Sequence, residues 1–201
     1  MISKSVSIGT INLPLIEGEF SMIPFDLNKI SELPAMFQSI ARQMLKGINH
    51  SGGTAFFTLH GKKLNPKETL RRGAPHTDGS YDLAMKSWGN GGGWKIGENG
   101  PSRSSKLHDR LYNSEKGGII LASNHSSCLG WTGEFDGMPG VGGDCSKIKL
   151  NEPFILRSNT IYYGNNHFIH ESIPVEINVH RVFARITMPE NHSFTGGNHD
   201  A

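Results

Sequence analysis

Residues 179–188, Val-His-Arg-Val-Phe-Ala-Arg-Ile-Thr-Met, constrain the fold of this chain more than any other stretch. The run is rich in β-branched and aromatic side chains and reads as a strand. Side chains alternate faces along a strand. Arg181, Phe183, Arg185 and Thr187 therefore share one face, and Val182, Ala184 and Ile186 share the other. The second face is apolar and belongs in a core. The first has two readings. At a sheet edge in water it is a solvated basic rim that blunts aggregation. Inside a barrel or sandwich each guanidinium needs an anion, and a dicarboxylate would serve. The interior reading is the stronger, because a candidate metal ligand, His170, precedes Arg181 with ten residues, 171–180, between them.

His170 closes the run 160–170, Thr-Ile-Tyr-Tyr-Gly-Asn-Asn-His-Phe-Ile-His, which reads as two short strands broken at Gly164-Asn165-Asn166. Pro174 then ends the second strand or puts it at an edge. Upstream, His76-Thr77-Asp78 lies within Arg71-Arg72-Gly73-Ala74-Pro75-His76-Thr77-Asp78-Gly79-Ser80. Positions i and i+2 of an extended segment project to one side and can grip a single ion. With this chain's His and Asp content, about 0.35 such pairs arise by chance, so the motif draws its weight from the distal histidine. His76, Asp78 and His170 together supply two imidazoles and one carboxylate, the ligand set of a facial triad that leaves open positions on a non-haem Fe(II). Three alternatives stand beside this reading. His76 could sit in a surface turn before Gly79. His167 is a rival distal ligand. Two histidines and a carboxylate also suit hydrolytic zinc.

His-X-Asp, a distal His and an Arg beyond it, in that order, resemble the pattern of 2-oxoglutarate- and Fe(II)-dependent dioxygenases over roughly residues 55–189. Glu171-Ser172-Ile173-Pro174-Val175 makes His170 a better match than His167 to the family's distal ligand. The resemblance implies a mainly β protein with a flanking helix, folded as a double-stranded β-helix (a cupin-like jelly-roll), with His76, Asp78 and His170 holding Fe(II). It implies 2-oxoglutarate as co-substrate and O2 as oxidant, with oxidative decarboxylation coupled to hydroxylation or oxidative demethylation of a substrate. It further implies that Arg181 clamps the remote carboxylate by paired charge-assisted hydrogen bonds, which a lysine cannot reproduce. The chain departs from the family at one point. Arg181 is followed by Val182-Phe183 where Arg-X-Ser is common, whereas Arg185-Ile186-Thr187 matches the Arg-X-Ser/Thr form at longer spacing. The branch that repairs alkylated bases uses two arginines on this strand, so Arg181, Arg185 and Thr187 are all co-substrate candidates. The combination Arg71-Arg72-X-X-Pro75-His76-X-Asp78-Gly79 is similar to that of small virus-borne members, which implies the cytoplasm, that of an infected bacterial cell included.

Composition fits one β-rich domain over 1–201, with its core at about 55–189 and a flexible tail over 190–201. Hydrophobic residues make up 36% and charged residues 19%, while 25 Gly and 10 Pro point to many turns. A net charge of +2 is too small to announce a nucleic-acid footprint, although Lys62, Lys63, Lys67, Arg71 and Arg72 could form a local patch and leave nucleic acid open as a partner. No apolar run of membrane-spanning length and no secretory h-region are expected. Cys128 and Cys145 are too few for a disulfide framework and read as reduced thiols, the first buried and the second on a loop.

Residues 1–28 read as short strands with turns at Pro14, Gly18 and Pro24. Ser31–Lys46 reads as a helix with a Ser cap and Gly47 as its stop. Its stripe of Phe37, Ile40, Met44 and Ile48 should pack on a sheet. Thr54–His60 reads as a strand ending in a turn at Gly61, and Gly118–Ala122 as a buried strand. Between Asp78 and His170 lie glycine-rich segments carrying Trp88, Trp94 and Trp131. Each tryptophan either offers a stacking face to substrate or anchors its loop in the core. No Gly-Lys-Ser/Thr follows these glycines, which excludes a phosphate loop. A peptide side chain, a nucleobase or a small metabolite would fit such a mouth. A non-catalytic or hydrolytic metal-binding jelly-roll is the alternative function.

Overall fold

The alternating pattern at 179–188 does form a strand, and its neighbours decide between the two readings of its basic face. The computed structural model describes residues 1–78 and 115–196. In these the strands are β1 (Ile2–Ser3), β2 (Ser5–Thr10), β3 (Gly18–Asp26), β4 (Thr54–Leu64), β5 (Ile119–Ser123) and β6 (Cys128–Trp131). They continue with β7 (Gly133–Glu134), β8 (Phe154–Leu156), β9 (Thr160–Gly164), β10 (Ile169–Ser172) and β11 (Val179–Thr187), and one α-helix, α1, spans Ala35–Met44. Every strand pair is antiparallel. The major sheet has the order β2-β9-β5-β11-β4-β3, a minor sheet β10-β6-β8, and β1 pairs with β7. Among the described residues the protein is thus mainly β with antiparallel sheets and one helix. No helix there is long and apolar enough to cross a membrane.

β11 lies between β4 and β5, so it is not an edge strand and the solvated-rim reading of its arginines fails. Val182, Ala184 and Ile186 face a core built with Phe37, Ile40 and Met44 of α1. Burying each of these large side chains contributes about 1.5–3 kcal/mol, and a charge at Phe37 would unseat the helix. The opposite face of β11 looks toward the minor sheet. There Phe183 packs with Leu121 of β5, Cys128 of β6 and Leu156 of β8. A third cluster, with Trp131, Phe135, Cys145, Ile148 and Ile169, includes residues of the minor sheet.

Several local expectations need correction. The helix starts at Ala35, not after Ser31. Pro34 is its N-cap with extended ψ of 140°, no side chain caps it, and Ile30–Glu32 forms a separate 3-10 turn. The restriction that proline places on the residue before it separates the two pieces. Gly18 and Pro24 are not turns but lie within β3, an edge strand with one neighbour, where proline is tolerated. β4 runs through Gly61 to Leu64. Gly61 is there because the chain crosses close by: a Cβ at this position would lie 2.2 Å from the Ile16 carbonyl oxygen. Residues 190–196 are not a flexible tail. Phe194 enters the main core, its ring 4.7 Å from that of Tyr163, and His192 is 2% exposed. Residues 197–201, with His199, lie outside the described residues.

Candidate metal centre

The segment carrying His76 pairs with β10. His76 N donates to His170 O at 3.0 Å and His170 N donates to His76 O at 3.0 Å. Directly opposed residues of an antiparallel pair present their side chains on one face, and the two imidazole centroids are 4.6 Å apart. On its other side the segment is held by Thr77 N donating to Gly143 O (2.9 Å) and Cys145 N donating to Pro75 O (2.9 Å). Gly143 adopts φ +76°, and a Cβ there would lie 1.9 Å from the Thr77 carbonyl oxygen, so only glycine permits this approach. Asp78, two residues on, projects beside His76. One potential ligand atom from each of His76, Asp78 and His170 lies within 4.8 Å of the others. His167, though buried, is not part of this group.

Both histidines are oriented from behind. His76 Nδ1 faces Ala74 O at 2.8 Å and His170 Nδ1 faces Phe168 O at 3.2 Å. A ring nitrogen against a carbonyl must carry the proton, which leaves Nε2 as the lone-pair atom, the tautomer that metal-binding histidines are usually held in. Ala74 takes φ 67°, uncommon for a residue with a Cβ. Burial and the neighbouring His170 press the pKa of His76 down to about 3, against the pull of Asp78. The ring is therefore neutral, as a metal ligand requires. Asp78 shows the opposite balance. Burial acts against its charge, but Arg185 and both histidines outweigh it and hold its carboxyl well below the usual range. Asp78 Oδ2 lies 2.6 Å from Arg185 Nη1 and 3.4 Å from His170 Nε2, yet accepts a well-aligned hydrogen bond from neither. Two imidazoles and one carboxylate, whose buried Oδ2 makes these two ion-pair approaches and no well-aligned hydrogen bond, fit a divalent cation.

The two arginines of β11 have different partners. Arg185 joins Asp78, and its Nη2 donates to Met22 Sδ at 3.3 Å, while its buried Nε has no hydrogen-bond partner. Met22 sits at a bulge in β3 with φ 59°, which brings its thioether over the site. Arg181 is fully buried. Its Nη1 donates to Ser172 Oγ (2.6 Å), its Nη2 to Cys128 Sγ (3.0 Å) and its Nε weakly to Ser123 Oγ (3.4 Å). No carboxylate among the described residues pairs with it. Burial lowers its pKa, and burial likewise raises that of Cys128, which outweighs the nearby guanidinium and keeps a neutral thiol. Thr187 is buried on the same face, its hydroxyl without a hydrogen-bond partner, but it does not line the cavity beside the triad.

That cavity has a volume of about 410 Å³. Its described walls are His76, Asp78 and His170, the guanidiniums of Arg71, Arg72 and Arg185, and Met22, Cys128, Ser172 and Phe183. Trp131 is not among them. It is 5% exposed, its indole N–H donates to Asn151 O at 3.1 Å, and it anchors the end of β6 in the third cluster. Trp88 and Trp94 lie outside the described residues. Of the basic patch, Lys62, Lys63 and Lys67 are exposed, whereas Arg71 and Arg72 turn toward the cavity. Cys145 is in a loop, as expected, but fully buried. Ser172, Cys128 and Met22 were not anticipated as site residues. Ser172 was findable, since it follows His170 by two and shares its strand face. No family model, no curated protein and no solved structure matches this chain.

Proposed function

We propose that this chain is a 2-oxoglutarate- and Fe(II)-dependent dioxygenase built on a double-stranded β-helix, the two antiparallel sheets enclosing the site. One observation carries the reading: a fully buried guanidinium, Arg181, without a carboxylate partner among the described residues, adjoins a His76–Asp78–His170 cluster suited to a divalent ion. Burying a charge without a counter-ion is costly. A metal that only activates water gives no reason to bear that cost, whereas an anionic co-substrate does.

In this reading Nε2 of His76, a carboxylate oxygen of Asp78 and Nε2 of His170 hold Fe(II). Iron held there would activate O2, the oxidant, with two electrons drawn from 2-oxoglutarate as it is decarboxylated and two from a substrate C–H bond. The protein holds both imidazoles in one tautomer through Ala74 O and Phe168 O. Arg185 keeps Asp78 ionised and fixed in place. Arg181, reaching the cavity wall at Ser172 and Cys128, supplies the charge that receives the remote carboxylate. Phe183 and Met22 give the cavity an apolar side that excludes water.

The test is aerobic incubation of the iron-loaded protein with 2-oxoglutarate, following succinate by proton NMR. Succinate that accumulates only with Fe(II) and O2, and that is lost in His170→Ala and strongly reduced in Arg181→Lys, is the expected outcome. Unchanged 2-oxoglutarate over bound iron would favour a hydrolytic or non-catalytic metal site.

A further inference from the structure

Resting on the dioxygenase reading, the charge around the cavity says something about what is oxidised there. Its described walls carry three guanidiniums, Arg71, Arg72 and Arg185, against one carboxylate, Asp78, and Arg181 adds a fourth positive charge immediately behind Ser172 and Cys128. A divalent ion adds two more. Glu19, from outside the lining, offsets Arg71 at 2.9 Å. A doubly charged co-substrate offsets two of the rest. Counted over the described residues, and with Asp144 near Arg72 included, the site remains net positive, and a positive, partly apolar cleft draws anions.

Arg71 and Arg72 are placed for this second role. Arg71 lies over the ring of Phe183, its Cζ 5.6 Å from the centroid, with a side chain one-quarter exposed. Arg72 is exposed, and its Nη1 donates to Gly142 O at 2.9 Å, a neutral partner, while the exposed Asp144 carboxylate lies within electrostatic reach without forming an ion pair with it. Neither guanidinium hydrogen-bonds to Arg181, Ser172 or Cys128, and Arg72 meets Ser172 only through its backbone carbonyl, which accepts from Ser172 N at 3.3 Å. There is also room. 2-Oxoglutarate has roughly 10 heavy atoms, each occupying less than a water's share of about 30 Å³, so a cavity of about 410 Å³ keeps space for a second small molecule. The surface beyond the rim is less suited to a polyanion, because Glu17, Glu19 and Glu68 interrupt the basic side chains of 62–72.

We propose that the molecule oxidised at this site is a small organic anion, bearing a carboxylate or phosphate held by Arg72 and Arg71 and an apolar portion against Phe183 and Met22. The test uses Mn(II)-loaded protein saturated with 2-oxoglutarate and three probes: hexanoate, hexanamide and n-butyl phosphate. Hexanoate and hexanamide match in length and differ in charge. Paramagnetic broadening of the probe methyl protons reports binding near the metal. At least one anion should bind roughly 10-fold more tightly than hexanamide, and the comparison of carboxylate with phosphate identifies the preferred head group. The preference should fall toward unity in Arg72→Gln and in Arg71→Gln, with Mn(II) affinity checked in each to show that the His76 segment is intact. Equal binding of all three probes, or a preference unchanged in both variants, would overturn the proposal while leaving the co-substrate reading intact. So would binding of a single-stranded oligonucleotide with no binding of either small anion. Failure of 2-oxoglutarate itself to bind, with the anion preference and its Arg72 dependence retained, would sink the dioxygenase reading and uphold the anion site.

Discussion

Replacing Arg181 by methionine should make the apo-protein more stable and the co-substrate complex much weaker. The side chain is 0% exposed and holds one short hydrogen bond, to Ser172 Oγ at 2.6 Å, and two lesser ones, to Cys128 Sγ and Ser123 Oγ. Exchanging a buried ionic group for an apolar side chain of similar volume is often neutral or stabilising, by about 1–4 kcal/mol. The lost hydrogen bonds take back about 1–2 kcal/mol, and the two serine hydroxyls can re-aim as donors. The net expectation for Arg181→Met is a gain of about 1–2 kcal/mol in urea unfolding of the apo-protein. Against this, truncating one partner of a buried charge pair costs about 2–5 kcal/mol in binding. Calorimetric titration of 2-oxoglutarate into the Mn(II)-loaded variant should therefore show affinity lower by about 100-fold or more. A variant that loses more than about 3 kcal/mol of apo stability and binds 2-oxoglutarate as wild type does would refute the reasoning. Arg181 would then be a strut of the fold rather than an anion receptor.

Further outcomes follow from other contacts. His170→Ala should weaken Mn(II) binding by about 100-fold or more, whereas His167→Gln should change stability but keep metal affinity within a few-fold; a calorimetric metal titration that ranks them the other way would reassign the ligand. Ser172→Ala removes the closest acceptor of Arg181 and should weaken 2-oxoglutarate binding by about 10-fold with metal affinity retained, measured in the same titration. Gly143→Ala places a methyl group 1.9 Å from the Thr77 carbonyl oxygen at φ +76° and should cost about 1–3 kcal/mol in urea unfolding, with looser metal binding. Burial, with His50 nearby, lowers the pKa of His192 to about 4. The unfolded chain then takes up that proton near pH 6.5 and the folded one only near 4. This contribution to stability is complete above about pH 6.5 and lost as pH falls toward 4, by about 1–3 kcal/mol. His192→Phe should flatten that part of the urea-midpoint profile, and an unchanged slope would count against it.

The His76–Asp78 pair and the arginine face were legible because each is a short-range pattern. His76 and Asp78 are two residues apart, and the alternation from Arg181 to Thr187 survives in any strand. What set the interior reading over the edge reading was the pairing of β11 with both β4 and β5, a long-range fact that no local window contains. The same holds for the opposition of His76 and His170 across 94 residues of chain, for Met22 arriving from the β3 bulge, and for Cys128 as a partner of Arg181. Gly61 reads as a turn residue but serves a close approach to Ile16, and Gly143 serves another to Thr77; both are invisible until the chain has folded. The tail misled for a similar reason. Its composition is polar, but Phe194 and His192 pack on Tyr163, and backbone hydrogen bonds to Glu115 and Gly117 hold the segment.

Anaerobic addition of Fe(II) and then 2-oxoglutarate, followed by visible absorption, addresses the co-substrate site most directly. The expected result is a weak metal-to-ligand charge-transfer band that requires both additions and is absent in His170→Ala and Arg181→Met. A protein that binds iron through His76, Asp78 and His170 yet shows no band with 2-oxoglutarate would contradict the account.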